Sequence, residues 1–97
     1  MIKEKWEQVG VIGIDAGMCW IGDPCYVLAN DSSHRFKMPW TKFCDLLDDE
    51  DTQQWNYKLG HPGLGVTVHT GCGDGEYPVF VKRDENGSIA EVKVVFI

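Results

Sequence analysis

The clearest pattern in the chain is an alternation of apolar and polar residues in its last 25 positions. Residues 77–82 and 88–97 form two extended runs joined by residues 83–87, which include the Asn86-Gly87 step common in hairpin turns. In the second run, Ala90, Val92, Val94 and Phe96 share one side of the predicted strand. This pattern predicts a β-hairpin at the C-terminal end of the domain.

Shorter apolar runs predict further strands in the first half of the chain. Val9 to Ile14 is a predicted strand that ends in the turn Asp15–Gly17, and Met18 to Ile21 follows as the returning strand. After the break at Gly22–Pro24, the residues Cys25 to Leu28 are expected to resume in extended form. Because Pro24 lacks an amide N–H, this stretch is expected to be a sheet edge, a bulge or a strand that crosses between sheets.

A further strand is predicted from Gly63 to Thr70. Leu64, Val66 and Val68 lie on one side of it, and Gly65, Thr67 and His69 lie on the other. Such alternation is typical of a strand with one buried face. The segments 30–37 and 52–62 lack a clear period and are predicted to be loops.

One amphipathic helix is predicted at about residues 39–51. Trp40, Phe43, Cys44 and Leu47 recur at the spacing of a single helix face, and Pro39 suits the first helical turn. Acidic residues cover the other face and the end of this helix. Since acids at a helix C-terminus oppose the helix dipole, the last turn is expected to fray.

These elements predict an α+β, mostly β fold in one domain that spans residues 1–97. Five to six mainly antiparallel strands would form a twisted sheet or a small open barrel, with the helix on one face. A length of 97 residues is usual for one domain.

The charge of the chain limits the partners it can have. The formal net charge is −6, and there are only two arginines, Arg35 and Arg83. Because double-stranded nucleic acid is bound mainly through lysine and arginine, we expect no such binding. The charged start and the absence of any long apolar run predict no signal peptide and no membrane contact, and hence a cytoplasmic protein.

The four cysteines, Cys19, Cys25, Cys44 and Cys72, are expected to be free thiols in a reducing compartment. No C-x2-C pair is present, so the signal for a zinc site is weak. No metal and no cofactor are predicted. His69 and Cys72 lie close in sequence, but no third group that would orient a thiol nucleophile can be identified.

Two loops carry the best candidates for binding. Asp23 precedes Pro24, which holds it out of the helical region, so its carboxylate either caps backbone donors or accepts from a ribose hydroxyl or an exocyclic amine. The second loop, 69–77, places single polar residues between glycines. It is either a tight hairpin connection or a loop that presents N–H groups to phosphate, although it matches no known phosphate-binding motif.

Aromatic residues near these loops either belong to the core or form a platform for a flat ligand. Bases stack on such rings with about 1–3 kcal/mol each, and Trp55 and Tyr57 are further aromatics in an irregular segment. Arg35, Lys58 and His61 lie in predicted loops and could meet phosphate. The predicted ligand-binding set is Trp20 as a stacking wall with Asp23, Tyr26, His69, Thr70, Asp74 and Tyr77.

Three stretches resemble a small family of uncharacterised bacterial and phage proteins. They are 15–26, with its Gly-Asp-Pro-Cys-Tyr motif, 73–79, with its Gly-Asp-Gly-x-Tyr-Pro-Val motif, and 90–97. The resemblance implies no activity and no catalytic residues. In size and acidity the chain is also similar in general style to phage anti-defence proteins, the sponges that sequester nucleotide signals of bacterial immunity.

The leading hypothesis is therefore a non-catalytic protein that binds, and sequesters, a small nucleotide-like signalling molecule. A protein–protein interaction or inhibitor module that uses the acidic helix is the alternative. A thiol-dependent enzyme using Cys72 or Cys25 is the third hypothesis.

The C-terminal strand is also expected to take part in assembly. Glu91 and Lys93 show one face meeting water, but Val95 and Ile97 place apolar groups on that same face. The strand should therefore lie in the middle of the sheet or form a homo-oligomer contact, since exposed apolar edges invite pairing. The alternative is that the N-terminal residues or Trp6 cover this patch within one chain.

Overall fold

The part of the chain that the structure describes is mostly β, with six strands in two antiparallel sheets and few helices. The computed structural model describes residues 4–28, 39–56 and 63–97. The elements in chain order are β1 (Glu7–Ile14), β2 (Met18–Ile21), α1 (Cys25–Leu28), α2 (Trp40–Leu46), β3 (Thr52–Trp55), β4 (Gly65–His69), β5 (Gly75–Arg83) and β6 (Ile89–Val94). The predicted fold class is confirmed, but the strands form two sheets where the sequence predicted one.

The chain forms two compact units, Met1–Met18 with Thr70–Ile97 (unit 1) and Cys19–His69 (unit 2). Unit 1 contains a three-stranded sheet in the order β1-β5-β6. Its central strand, β5, pairs antiparallel with both neighbours, and β1 has a register irregularity between Gln8 and Gly10. Ile14, Tyr77 and Val81 are buried on this sheet.

The predicted C-terminal hairpin is confirmed as β5 and β6. In its turn, the Asp84 carboxylate accepts hydrogen bonds from the amides of Asn86 (2.9 Å) and Ser88 (3.0 Å). Gly87 has φ of 87°, a value that favours glycine, as the Asn-Gly step predicts.

Unit 2 contains the second sheet, in the order β2-β4-β3 and without Met18 at the start of β2, together with α1 and α2. The prediction that β2 returns along β1 is wrong, because β1 pairs with β5. The turn between them explains the difference: Gly17 donates its N–H to the Asp74 side chain at 2.8 Å, and its carbonyl accepts from Thr70 at 2.9 Å. The turn is thus bonded to the loop before β5 and does not close a β1–β2 hairpin.

Residues Cys25–Leu28 are helical, so the predicted extended conformation is wrong. The amide of Leu28 donates to the carbonyl of Pro24 at 2.9 Å, and the amide of Tyr26 donates to the backbone carbonyl of Asp23 at 3.1 Å. Pro24 is therefore used as a first-turn residue, where its missing N–H costs nothing.

A helix is confirmed at the predicted place, but it is shorter than residues 39–51, and Phe43 is its one buried residue. It covers Trp40–Leu46, and Leu47 already has extended dihedrals (φ −67°, ψ 134°). The acids that follow bond locally: Asp48 accepts from the amide of Glu50 at 3.0 Å, and its own amide donates to Gln53 at 3.0 Å. Such side-chain bonds compete with a helix, and acids at its C-terminus oppose the dipole.

Part of the predicted loop 52–62 is a strand. Thr52–Trp55 forms β3, which pairs antiparallel with β4 in the register Thr52↔Val68 to Trp55↔Gly65. Residues 57–62 and 29–38 lie outside the described residues, as do the loop predicted at 30–37 and the candidates Arg35, Tyr57, Lys58 and His61.

The strand predicted at 63–70 is confirmed as β4, and its more buried face is the one that carries Thr67. Thr67 is only 1% exposed, whereas Val66 and Val68 are half-buried. The reason is a hydrogen bond at 3.2 Å from the indole N–H of Trp55 to the Thr67 hydroxyl, which satisfies that polar group inside the protein.

The C-terminal strand does not lie in the middle of a sheet, so that part of the prediction is wrong. β6 is an outer strand of the β1-β5-β6 sheet. Val95 is half-buried, and its amide donates to Pro78 at 3.2 Å, whereas Ile97 is 93% exposed. No described helix has the length and apolar character needed to cross a membrane.

Candidate functional site

The first candidate residue, Asp23, acts on the backbone of its own turn. Its Oδ1 accepts a hydrogen bond from the amide of Cys25 at 2.9 Å, at the start of α1. That backbone bond, with a further one from the Cys25 thiol, lowers the pKa of the exposed Asp23 carboxyl. In turn, the hydrogen bond to Asp23 raises the pKa of the exposed Cys25 thiol. Asp23 therefore caps the helix and favours a protonated thiol beside it.

The other candidates of unit 2 occupy different elements. Trp20 lies in β2 and packs against Phe43 with its ring edge, at a centroid distance of 6.3 Å. Tyr26 is half-buried in α1. His69 is the last residue of β4, and its amide donates to the carbonyl of Asp51 at 2.8 Å. Trp20, predicted to be a stacking wall, is thus a packed residue of unit 2.

The three candidates of unit 1 come together at the glycine-rich loop. The hydroxyl groups of Thr70 and Tyr77 both donate to the carbonyl oxygen of Gly73, each at 2.6 Å. Asp74 accepts from the amide of Gly17 at 2.8 Å. Gly73 and Gly17 have φ of 77° and 70°, which other residues adopt only with strain. The polar side chains that were predicted to bind a ligand thus form hydrogen bonds with backbone groups of their own unit.

The cysteine nearest this loop is also engaged. The exposed Cys72 thiol donates to the carbonyl oxygen of Phe96 at 3.3 Å. His69 and Cys72, paired in the thiol-enzyme hypothesis, belong to different units. Within the described ranges, no three His, Cys, Asp or Glu side chains are grouped to hold a metal ion.

An aromatic column in unit 2 ends at the surface. Trp55 of β3 stacks on Phe43 of α2 at 4.6 Å and 19°, and Phe43 stacks on Trp40 at 5.5 Å and 17°. Trp55 and Phe43 are buried, whereas Trp40 is 57% exposed. We call these three residues the aromatic column. Its outer ring is an exposed indole held nearly parallel to the rings beneath it.

Local sequence explains the column. Trp40 and Phe43 are three positions apart, which places them on one face of α2. Trp40 is the first helical residue, directly after Pro39, so its ring lies at the end of the packed face. The sequence pattern marked both residues as core. It gave no sign of the strand β3 that brings Trp55 beneath Phe43.

Two glycines of unit 2 lie where a larger side chain would not fit. A Cβ atom on Gly65 would overlap the indole ring of Trp20, and one on Gly22 would lie 2.6 Å from the carbonyl oxygen of Leu64. The Trp20 ring therefore lies directly on the β4 backbone. Trp20 is 6.5 Å from Trp55 between ring centroids, so this contact supports the base of the aromatic column.

Unit 1 has an aromatic and basic cluster that sequence analysis did not predict. The Nζ atoms of Lys93 and Lys82 lie 4.1 and 4.8 Å from the centroid of the Trp6 ring, and Lys93 lies 5.5 Å from that of Phe80. All three are cation–π contacts of ordinary distance. Trp6 thus lies on the face of the sheet that carries Lys82 and Lys93. The alternative that Trp6 covers the apolar patch at the end of the strand fails for Ile97, which is 93% exposed, and stays a prediction for Val95.

The described elements from β1 to β6 coincide with a recognised family. Residues 7–94 match the family described as protein of unknown function, DUF4241. The chain belongs to the DUF4241 family. No curated protein and no solved structure matches it significantly. The family description assigns no residue a role, so the function of this DUF4241 protein has to be inferred from its own geometry.

Proposed function

We propose that this DUF4241 protein is a non-catalytic binding protein for a small nucleotide-like molecule, whose base stacks on Trp40. The observation that carries the proposal is the aromatic column, which ends at Trp40, a residue that is 57% exposed. An exposed tryptophan face is where a flat ligand gains most, because stacking on an aromatic side chain stabilises a bound base by about 1–3 kcal/mol.

The column also supplies preorganisation. Trp40 stacks on Phe43, and Phe43 stacks on Trp55. The indole N–H of Trp55 donates to the Thr67 hydroxyl at 3.2 Å. The outer ring is therefore held in place before a ligand arrives. Less side-chain entropy is lost on binding than for a free surface tryptophan.

Features of the thiols and of the glycine loop support a non-catalytic role. The raised pKa of Cys25 disfavours the thiolate that a nucleophile needs. Thr70, Asp74 and Tyr77 already bond to the backbone of their own unit. Sequestration of a signalling nucleotide, as in the phage anti-defence sponges that the chain resembles in general style, requires binding without chemistry and is the role we propose.

A thermal-shift screen against cyclic dinucleotides, cyclic ADP-ribose isomers and common nucleotides tests the proposal. Binding should raise the melting temperature, since a ligand stabilises by RT ln(1 + [L]/Kd). Trp40→Ala should abolish the shift and Trp40→Phe should retain most of it. Leu46→Ala, a change at a 46% exposed residue of the same helix, is the matched control and should leave it intact. The absence of any shift at millimolar nucleotide would refute the proposal.

The fate of the ligand tests the non-catalytic part separately. A nucleotide that was bound and then released by heating should be recovered chemically intact, and Cys25→Ser with Cys72→Ser should bind as the wild type does. Recovery of a cleaved product that either serine substitution abolishes would favour the thiol enzyme.

A further inference from the structure

The outer edge of β6 has backbone groups that point away from its sheet. The register pairs Phe80 with Lys93 and Val81 with Val92, and it continues to Pro78 opposite Val95, whose amide donates to the Pro78 carbonyl at 3.2 Å. In an antiparallel pair, hydrogen-bonded and non-hydrogen-bonded positions alternate. Lys93 therefore directs its N–H and C=O toward β5, whereas Val92 directs its own outward.

The side chains at this edge are exposed and of mixed character. Val92 is 61% exposed, and Glu91 and Lys93 on either side of it are also exposed. Among the strands of the described residues, β5 is the one neighbour of β6. The edge carries no proline, and its exposed charges, Glu91 and Lys93, are of opposite sign, so they oppose pairing only in registers that bring like charges together.

We propose that β6 pairs antiparallel with β6 of a second copy of this chain, around a two-fold axis at Val92. Val92 would then form the reciprocal hydrogen-bonded pair with Val92 of the second copy. Glu91 would lie opposite Lys93 of that copy, and Lys93 opposite its Glu91. These flanking positions are the non-hydrogen-bonded ones, where side chains approach more closely.

Charge complementarity selects this register over its neighbours. An axis at Glu91 or at Lys93 would place a like charge opposite itself in the two copies. An axis at Val94 would place Lys93 opposite Val95. The register irregularity between Lys82 and Arg83 ends the regular ladder near Glu91, so the edge available for pairing is centred close to Val92. A two-fold contact of this kind is self-complementary and closes after two copies.

The cation–π contacts leave the Lys93 ammonium group able to pair with Glu91 of a second copy. Its ammonium group lies 4.1 Å from the Trp6 ring centroid and makes no ion pair within the described part of the chain. An ammonium has three donors, so a carboxylate from a second copy can bond to it while it remains over the ring. The Trp6 ring would then fix the lysine at the edge before association.

Sedimentation equilibrium on the wild type and on charge-swapped variants tests the proposal. The wild type should show twice the protomer mass of 10.9 kDa. Glu91→Lys and Lys93→Glu should each weaken the dimer roughly tenfold or more, because each places like charges in both flanking pairs. An equimolar mixture of the two variants should form a heterodimer, since every flanking pair is again opposite in charge.

Two further variants test the backbone pairing and control for the change of charge. Val92→Pro removes an N–H that points outward, so it should give a monomer whose circular dichroism matches that of the wild type. Glu76→Lys makes the same charge change on β5 and should leave the dimer intact. A monomeric wild type, a dimer that persists in Val92→Pro, or a mixture that stays monomeric would each overturn the proposal.

Discussion

Asp74 accepts a hydrogen bond at 2.8 Å from the amide of Gly17, which lies 57 residues earlier in the chain. A second bond, at 2.9 Å, runs from the amide of Thr70 to the carbonyl of Gly17. Together they join the turn after β1 to the glycine-rich loop before β5. The role of Asp74 in this structure is to hold two loops of unit 1 together.

Replacing Asp74 by alanine should therefore destabilise the protein. One hydrogen bond of this kind contributes about 1 kcal/mol, and urea unfolding should show a loss of that size. Asp74→Asn keeps an acceptor oxygen and should lose less. Asp45→Ala removes an exposed carboxylate of α2 and serves as the control. Equal stability of Asp74→Ala and the wild type would contradict the assigned role.

The contact between Gly65 and the Trp20 ring leads to a second prediction. A methyl group at Gly65 would overlap the indole, so Gly65→Ala should destabilise by roughly 1–3 kcal/mol, the usual cost of overpacking. Gly13→Ala is the matched control, because nothing lies within 4 Å of the added Cβ there. Thermal unfolding of both variants gives the comparison. Similar melting temperatures would show that Trp20 does not lie on the β4 backbone.

The Asp23 and Cys25 pair should make the local structure depend on pH in two directions. The pKa of Asp23 is lowered, so its stabilising bonds are present above its ordinary pKa and are lost as the pH falls through the lowered value. The pKa of Cys25 is raised, so its contribution is present below the ordinary thiol pKa and is lost as the pH rises through the raised value.

Thiol alkylation rates measured against pH test this coupling. In a Cys44→Ser, Cys72→Ser background, the exposed Cys25 should titrate above the usual range for a thiol. Asp23→Asn removes the charge but keeps the acceptor for the Cys25 amide, and it should bring the thiol pKa back toward its ordinary value. An unchanged alkylation profile in Asp23→Asn would show that the carboxylate does not control the thiol.

Local periodicity was sufficient to predict much of the fold. The hairpin of β5 and β6, the strands β1 and β4, and the helix that begins at Trp40 follow from alternation, the Asn86-Gly87 step and helical spacing. The partner of each strand did not follow, because pairing over long sequence distances leaves no local pattern. The pairing of β1 with β5 is accompanied by a hydrogen bond from Gly17 to Asp74, 57 residues later in the chain.

For the candidate residues, too, the sequence predicted local features but not long-range contacts. Polar residues among glycines correctly marked a special loop, but Thr70 and Tyr77 donate to Gly73 inside it, and a sequence cannot distinguish that use from binding a ligand. Trp40 was marked as core by its helical spacing. Its exposure results from its place as the first residue of α2, which depends on where the helix begins.

The measurement that tests the proposed function most directly is an NMR titration of the four tryptophan indole N–H signals. The probes are AMP, cyclic di-AMP and cyclic ADP-ribose, and Trp40→Phe identifies the Trp40 signal by its loss. We expect at least one probe to move the Trp40 signal in a saturable way. Saturable binding that leaves the Trp40 signal in place, or no movement of any indole signal at millimolar probe, would contradict stacking on the aromatic column.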